Sequence, residues 1–165
     1  MSADPESDPE SEPKSEPKSE PESAARLYVA QPDAPYQVRP PLIVDCSVLA
    51  AAVFDEANGE QALLSIAGST LHAPWIIDLE MTNVALKKLK AGQTETVQRA
   101  FTQYLELDID KHDVDARMVL ALAQRYALSA YDAAYLLVAS DLHAPLVTFD
   151  QKLGKAAQLH LSSRQ

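Results

Sequence analysis

The sequence predicts an α/β fold built around a parallel sheet. Three observations lead there. Candidate strands such as Leu42-Ile43-Val44 are apolar throughout rather than alternating, as strands buried on both faces are. Stretches of helical length and composition separate them, which calls for crossover connections and so for parallel pairing. Acids close the apolar runs, at Val44-Asp45 and Phe149-Asp150, where such sheets place their sites.

Taken in order, residues 1–24 repeat Ser-Glu-Pro-Lys and Asp-Pro-Glu-Ser. Eight acids against two bases put −6 of the chain's −10 charge into the first 23 residues, along with five of the eleven prolines. Only Met1 and Ala3 are apolar there, so the stretch cannot offset its ordering entropy and is expected to be a disordered acidic tail. Residues 25–41 form a linker, because Gln31-Pro32-Asp33-Ala34-Pro35 and Arg39-Pro40-Pro41 do not fit inside regular elements. The folded domain is expected over 42–162.

Within it, 42–44 is a strand and 47–54 a helix, followed by a turn at 55–59. A second helix covers 60–67 and ends at Gly68. A strand at 71–74 exits through Trp75-Ile76-Ile77 to Asp78, a candidate N-cap for a helix to Lys90 that Ala91-Gly92 stops. Another helix covers 93–105. Residues 106–110 alternate like a half-exposed edge strand. Asp113 caps a helix to Tyr126, and Ser129 caps the next, through Asp141. A strand at 145–149, a short helix at 152–157 and a final short strand at 159–161 complete the domain.

The acidic balance argues against a protein that coats nucleic acid through general basicity. It leaves room for a nuclease whose metals bring positive charge to the site. The single cysteine, Cys46, excludes an internal disulfide and a cysteine-rich zinc site. The start has no basic segment followed by an apolar one, and no apolar stretch reaches the roughly 18 residues that span a bilayer. A soluble cytoplasmic protein with no membrane contact is the expectation.

Four signatures carry chemistry: Val44-Asp45-Cys46-Ser47, Asp78-Leu79-Glu80-Met81-Thr82-Asn83, Ala130-Tyr131-Asp132-Ala133 and Val147-Thr148-Phe149-Asp150. Asp45 and Asp150 stand at strand ends, and Glu80 and Asp132 in first turns of helices that face the same crevice. Converging carboxylates repel unless one takes a proton or a cation joins them. Oxygen-only donors suit Mg²⁺ or Mn²⁺, and such a site suits phosphodiester hydrolysis.

The order and spacing, 35, 52 and 18 residues from Asp45 to Glu80, Asp132 and Asp150, resemble a PIN domain of the VapC toxin type. The resemblance covers about 42–162. It implies a three-layer α/β/α domain and a Mg²⁺- or Mn²⁺-dependent endoribonuclease. Asp45 and Asp132 would be the main metal ligands. Glu80 would bind directly or through water, and Asp150 would complete the site. Ser47, Asn83 and Thr148 would orient carboxylates and waters. It further implies a small cognate antitoxin protein and a homodimer.

Plainer readings stand beside these. Asp150 also fits a turn acid before a helix, and Glu80 a first-turn acid placed by the helix dipole. Tyr131 and Tyr135 fit packing better than stacking on bases. His72 and His160 look structural, without a companion histidine at ligand spacing. Lys87 and Lys90 continue the stripe of Glu80 and Asn83, and Lys152 follows Asp150. Each can contact an RNA phosphate or simply complete a solvated helix end. A catalytically silent PIN-like module that binds RNA or protein is the alternative function, and an enzyme on DNA phosphodiesters a third.

Overall fold

The structure is a computed structural model that describes residues 39–162. The tail expected over 1–24, and all of the expected linker except its last three residues, lie outside the described residues. The described elements are β1 (Pro41–Val44), α1 (Cys46–Val53), α2 (Gly59–Ile66), β2 (Thr70–Pro74), α3 (Ile77–Lys90), α4 (Thr94–Leu105), β3 (Ile109–His112), α5 (Ala116–Tyr126), α6 (Ala130–Leu142), β4 (Leu146–Val147) and α7 (Gln151–Ser162). Pro41, expected in the linker, already belongs to β1. A proline is tolerated there because a strand's first residue can do without its ladder N–H.

The four described strands run in the order β3-β2-β1-β4, and every pair is parallel. Leu42 stands opposite Leu71, and Val44 opposite Val147. Successive strand residues point to opposite faces, and Leu42, Ile43 and Val44 are all buried. Both faces of the sheet are therefore covered by helices, which is the three-layer α/β/α arrangement. From β1 the chain steps outward to β2 and β3, then returns to the other side of β1 for β4. That reversal leaves a crevice at the carboxyl ends of β1 and β4.

Helix α6 runs through the centre. Residues 133–140 are buried without interruption, so this helix has no solvent side over two turns, and it packs on β1, β2 and β4. Helices α5 and α7 flank it. Gly59 opens α2 against α1, where a Cβ would stand 2.9 Å from the Ala51 carbonyl oxygen. Only glycine allows that approach. Gly92, at φ +80°, ends α3 as the sequence suggested.

Several expected boundaries shift. Asp78 does not cap α3. It lies inside the first turn, where its carboxylate accepts hydrogen bonds from Tyr104 Oη and from Lys111 Nζ at 2.7 and 2.8 Å. The edge strand is 109–112 rather than 106–110, because Glu106 closes α4 through backbone bonds. Asp115, not Asp113, caps α5 by accepting from the Arg117 and Met118 N–H groups. The strand expected over 145–149 is ordered as β4 for two residues only. The expected final strand at 159–161 is the end of α7. The buried set Leu153, Ala156, Ala157 and His160 has helical spacing, and it outweighs three alternating residues.

The cap assignment is testable by urea denaturation. Asp115→Ala should cost about 1 kcal/mol, the usual cost of losing an N-cap. Asp113→Ala, which removes no hydrogen bond among the described residues, should stay within about 0.5 kcal/mol of the parent.

Candidate active site

Asp45 follows the last residue of β1 and is also the N-cap of α1. Its backbone N–H continues the sheet by donating to the Val147 carbonyl at 3.1 Å. Its side chain, 6% exposed, gathers three donors onto Oδ2. Ser47 Oγ donates at 2.5 Å, Thr148 Oγ1 at 2.8 Å, and the Ser47 N–H at 3.4 Å. Each hydroxyl also accepts from the chain beyond β4. Ser47 Oγ takes the Phe149 N–H at 3.0 Å, and Thr148 Oγ1 takes the Asp150 N–H at 2.9 Å. Both hydroxyls are thus used as donor and acceptor, and the exits of β1 and β4 are laced together.

Glu80 lies in the first turn of α3, and Asp132 in the first turn of α6. Tyr135, one turn past Asp132 and fully buried, donates its hydroxyl to Glu80 Oε2 at 2.6 Å. Ser129 caps α6 by accepting from the Asp132 N–H at 3.0 Å, and its hydroxyl returns a bond to Asp132 Oδ2 at 2.8 Å. Burial pushes the Glu80 carboxyl above its ordinary pKa. The Tyr135 hydrogen bond opposes that shift, and the charges of Asp45 and Asp132 add to it. Glu80 therefore feels the charge of both other carboxylates. The Tyr135 phenol is pushed far up by burial and by Glu80. Cys46 is pushed up to about 12 by burial and then by Glu80 and Asp45, and its thiol rests 3.6 Å from Met81 Sδ.

Each of these three carboxylates ties one oxygen to a neutral hydroxyl and leaves the other without a hydrogen bond among the described residues. None takes part in an ion pair among the described residues. Among the described residues no buried side-chain polar atom lacks a partner, so the free oxygens of Asp45 and Glu80 reach solvent. An uncompensated acidic crevice with accessible carboxylate oxygens fits a hard divalent cation. Among the described residues no three such side chains already stand at ligand spacing.

The remaining predicted residues are placed unequally. Asp150 is exposed, and its Oδ1 accepts from the Leu153 N–H at 2.7 Å, which makes it the cap of α7. Its link to Asp45 runs through its backbone N–H and Thr148. Asn83 is exposed, and its side chain makes no hydrogen bond among the described residues. Lys87 is exposed and close enough for its charge to lower the Cys46 pKa, which puts it beside the crevice. Lys90 and Lys152 are exposed further out, whereas Lys88 is held by Glu56 at 2.9 Å. Tyr131 is exposed, but Tyr135 is sealed in the core and cannot stack on a base.

Two features escaped the sequence reading. The sequence offers Tyr135 only as a packing or stacking residue, because its tie to Glu80 spans 55 residues. His72 does have a companion, His112, with Nδ1 and Nε2 3.0 Å apart across β2 and β3. Burial holds His72 below its ordinary pKa, Asp110 raising it and His112 lowering it further. The register that sets His72 opposite Asp110 explains the group, and only the strand pairing could have revealed it. His160 is structural. It is buried in α7 with Tyr126 Oη at 3.0 Å and Ser140 Oγ at 3.1 Å.

Against known proteins, the PIN domain family profile matches residues 42–159. VapC ribonuclease Mb0985 of Mycobacterium bovis and ribonuclease VapC9 of Mycobacterium tuberculosis are each 30% identical over 121 residues, covering 71% of this chain and 91% of theirs. Ribonuclease VapC3 of Pyrobaculum aerophilum is 25% identical over 121 residues, covering 69% and 92%. The crystal structure of PAE2754 from the same organism superposes with a TM-score of 0.53 at 20% identity, over 79% of this chain and 95% of that one. This last likeness concerns the fold.

The raised pKa of Glu80 has a measurable consequence in metal-free protein. A folded pKa above the unfolded value favours the folded state at low pH, and that stability is lost as pH rises through the folded pKa. Glu80→Gln keeps an acceptor for Tyr135 and drops the charge. In EDTA at about pH 7.5 it should unfold at a higher temperature than the parent, with the difference closing by about pH 4.

Proposed function

The chain belongs to the PIN domain family, and on that premise we propose that it is a Mg²⁺- or Mn²⁺-dependent endoribonuclease, the toxin of a pair with a small antitoxin protein. The single observation that carries this reading is the electrostatic one. Glu80 feels the charges of Asp45 and Asp132, and all three take hydroxyls as their side-chain partners with no ion pair among the described residues. The ribonucleases among its relatives supply the substrate class.

Asp45, Glu80 and Asp132 would hold the ion, each with the oxygen it does not give to a hydroxyl. Asp150 would serve as the fourth carboxylate with the oxygen not engaged by Leu153. When bound, Mg²⁺ or Mn²⁺ supplies Lewis-acid charge at a phosphoryl oxygen and lowers the pKa of water. The chain's own part is positioning. Ser47 and Thr148 fix the plane of the Asp45 carboxylate. Asn83 presents a neutral amide one turn beyond Glu80, suited to a water or a phosphate oxygen. Lys87 and Lys90 lie about 10 and 15 Å along α3 from Glu80, and bind flanking phosphates of the same strand. Lys152 does so from α7.

A homodimer belongs to this proposal. Trp75, Leu79, Leu120 and Tyr131 are apolar and more than half exposed, and Trp75, Leu120 and Tyr131 line a groove of about 610 Å³. Surface of that kind is normally covered by a partner. Among the described residues no helix is long and apolar enough to cross a membrane. The proposed compartment is the cytoplasm, where the RNA is.

The silent-module reading has one observation in its favour, the lack of three donors at ligand spacing. Metal titration separates the two. The ribonuclease should cut single-stranded RNA with Mn²⁺ and stop on addition of EDTA. Asp45→Asn and Asp132→Asn should each lose at least about 100-fold in cleavage rate, the scale of several kcal/mol of charge stabilisation. Protein that neither gains thermal stability from millimolar Mn²⁺ nor cuts RNA would be the silent module.

A further inference from the structure

The three crevice carboxylates are not equally anchored. Asp45 is held by two hydroxyls and a backbone N–H, all within its own junction of β1 and β4. Asp132 is held by the cap of its own helix. Glu80 has the longest side chain of the three, and among the described residues its side chain has one hydrogen-bond partner, the Tyr135 hydroxyl. That partner comes from another helix. Its ring is fully buried, so the hydroxyl has a fixed origin in the core. It stands three residues past Asp132 on α6, which places Asp132 and Tyr135 on one side of that helix. The phenol therefore sets the position of Glu80 relative to Asp132.

The tether also acts against a force. Asp45 and Asp132 carry the same charge as Glu80 and are close enough to affect it. A glutamate has three rotatable side-chain bonds, and Glu80 is half-buried with its free oxygen reaching solvent. Without an anchor it would turn outward to water, where repulsion is screened and its rotamer entropy is recovered. We infer that Tyr135 is a positioning residue: its hydroxyl holds Glu80 turned into the acidic crevice, and so creates the third carboxylate of the ion site. This rests on the proposed metal-dependent nuclease. Tyr135 itself touches neither ion nor substrate.

The test measures Mn²⁺ binding to the full chain by calorimetry, without RNA. Tyr135→Phe keeps the ring and the core and removes only the oxygen. It should weaken Mn²⁺ binding about 10- to 100-fold, the usual cost of losing a partner that orients a ligand. Glu80→Gln should weaken binding at least as much, and adding Tyr135→Phe to it should change affinity by less than about twofold. Wild-type-like affinity in Tyr135→Phe, with Glu80→Gln impaired, overturns the positioning role and leaves the nuclease reading standing. An equal loss from Tyr135→Phe in both backgrounds makes the residue merely structural and overturns it as well. If wild-type protein binds no Mn²⁺, or Glu80→Gln binds normally, the ion site falls and the inference with it. Should Tyr135→Phe not fold, the wild-type protein decides. The Tyr135 hydroxyl proton, assigned by NMR, should keep its low-field position when Mg²⁺ saturates the site, and its loss overturns the role.

Discussion

The bonds converging on Asp45 Oδ2 are the constraint on which the rest of the site depends. One carboxylate oxygen ties the start of α1, through Ser47, to the chain leaving β4, through Thr148. The strand order makes this necessary. Strands β1 and β4 are neighbours in the sheet but separated by nearly the whole domain in sequence, and β4 is only two residues long. Few ladder bonds hold so short a strand. The side-chain lacing at its exit supplies what the backbone does not, and it leaves the other Asp45 oxygen without a hydrogen bond among the described residues.

From that junction the electrostatics follow. The interior is apolar and tightly built around α6, so it has no cation to spare for the acids at its upper edge. Lys111 is committed to Asp78 and Lys88 to Glu56, and exposed Lys87 has no acid partner among the described residues. The acids are held by hydroxyls instead. A hydroxyl fixes a carboxylate's direction without neutralising it. The three acids are thus oriented by hydroxyls and left without an ion pair among the described residues, which is what the proposed cation site requires.

Much of this was legible in the chain. Leu42-Ile43-Val44 reads as a strand buried on both faces because all three residues are apolar, and Ser129 reads as a cap because it stands directly before an apolar helical run. The acids were legible for a related reason, since a carboxylate at the end of such a run has to be explained. What stayed hidden depends on contacts far apart in sequence or on fine choices between near neighbours. Asp113 and Asp115 are equally good caps by composition, and only the backbone path selects one. Leu159-His160-Leu161 alternates like a strand, but His160 has partners on α5 and α6 that favour a helix. Asp150 reads from the sequence either as a fourth carboxylate of the site or as a turn acid before a helix, and only the folded chain shows its Oδ1 accepting from the Leu153 N–H at the start of α7. Tyr135 gave no signal because its partner is on another helix.

The buried thiol next to Asp45 has a practical consequence. Cys46 is the chain's single cysteine, it is out of solvent, and at ordinary pH it stays protonated and so a poor nucleophile. The native protein is in effect blank to thiol-directed reagents. A cysteine introduced at an exposed position, such as Leu64 on α2, would be the one site that takes a maleimide dye or spin label, with the native cysteine left in place. Molecular rulers could then be attached one at a time to a chain that still carries its own Cys46-Met81 contact intact beneath the crevice.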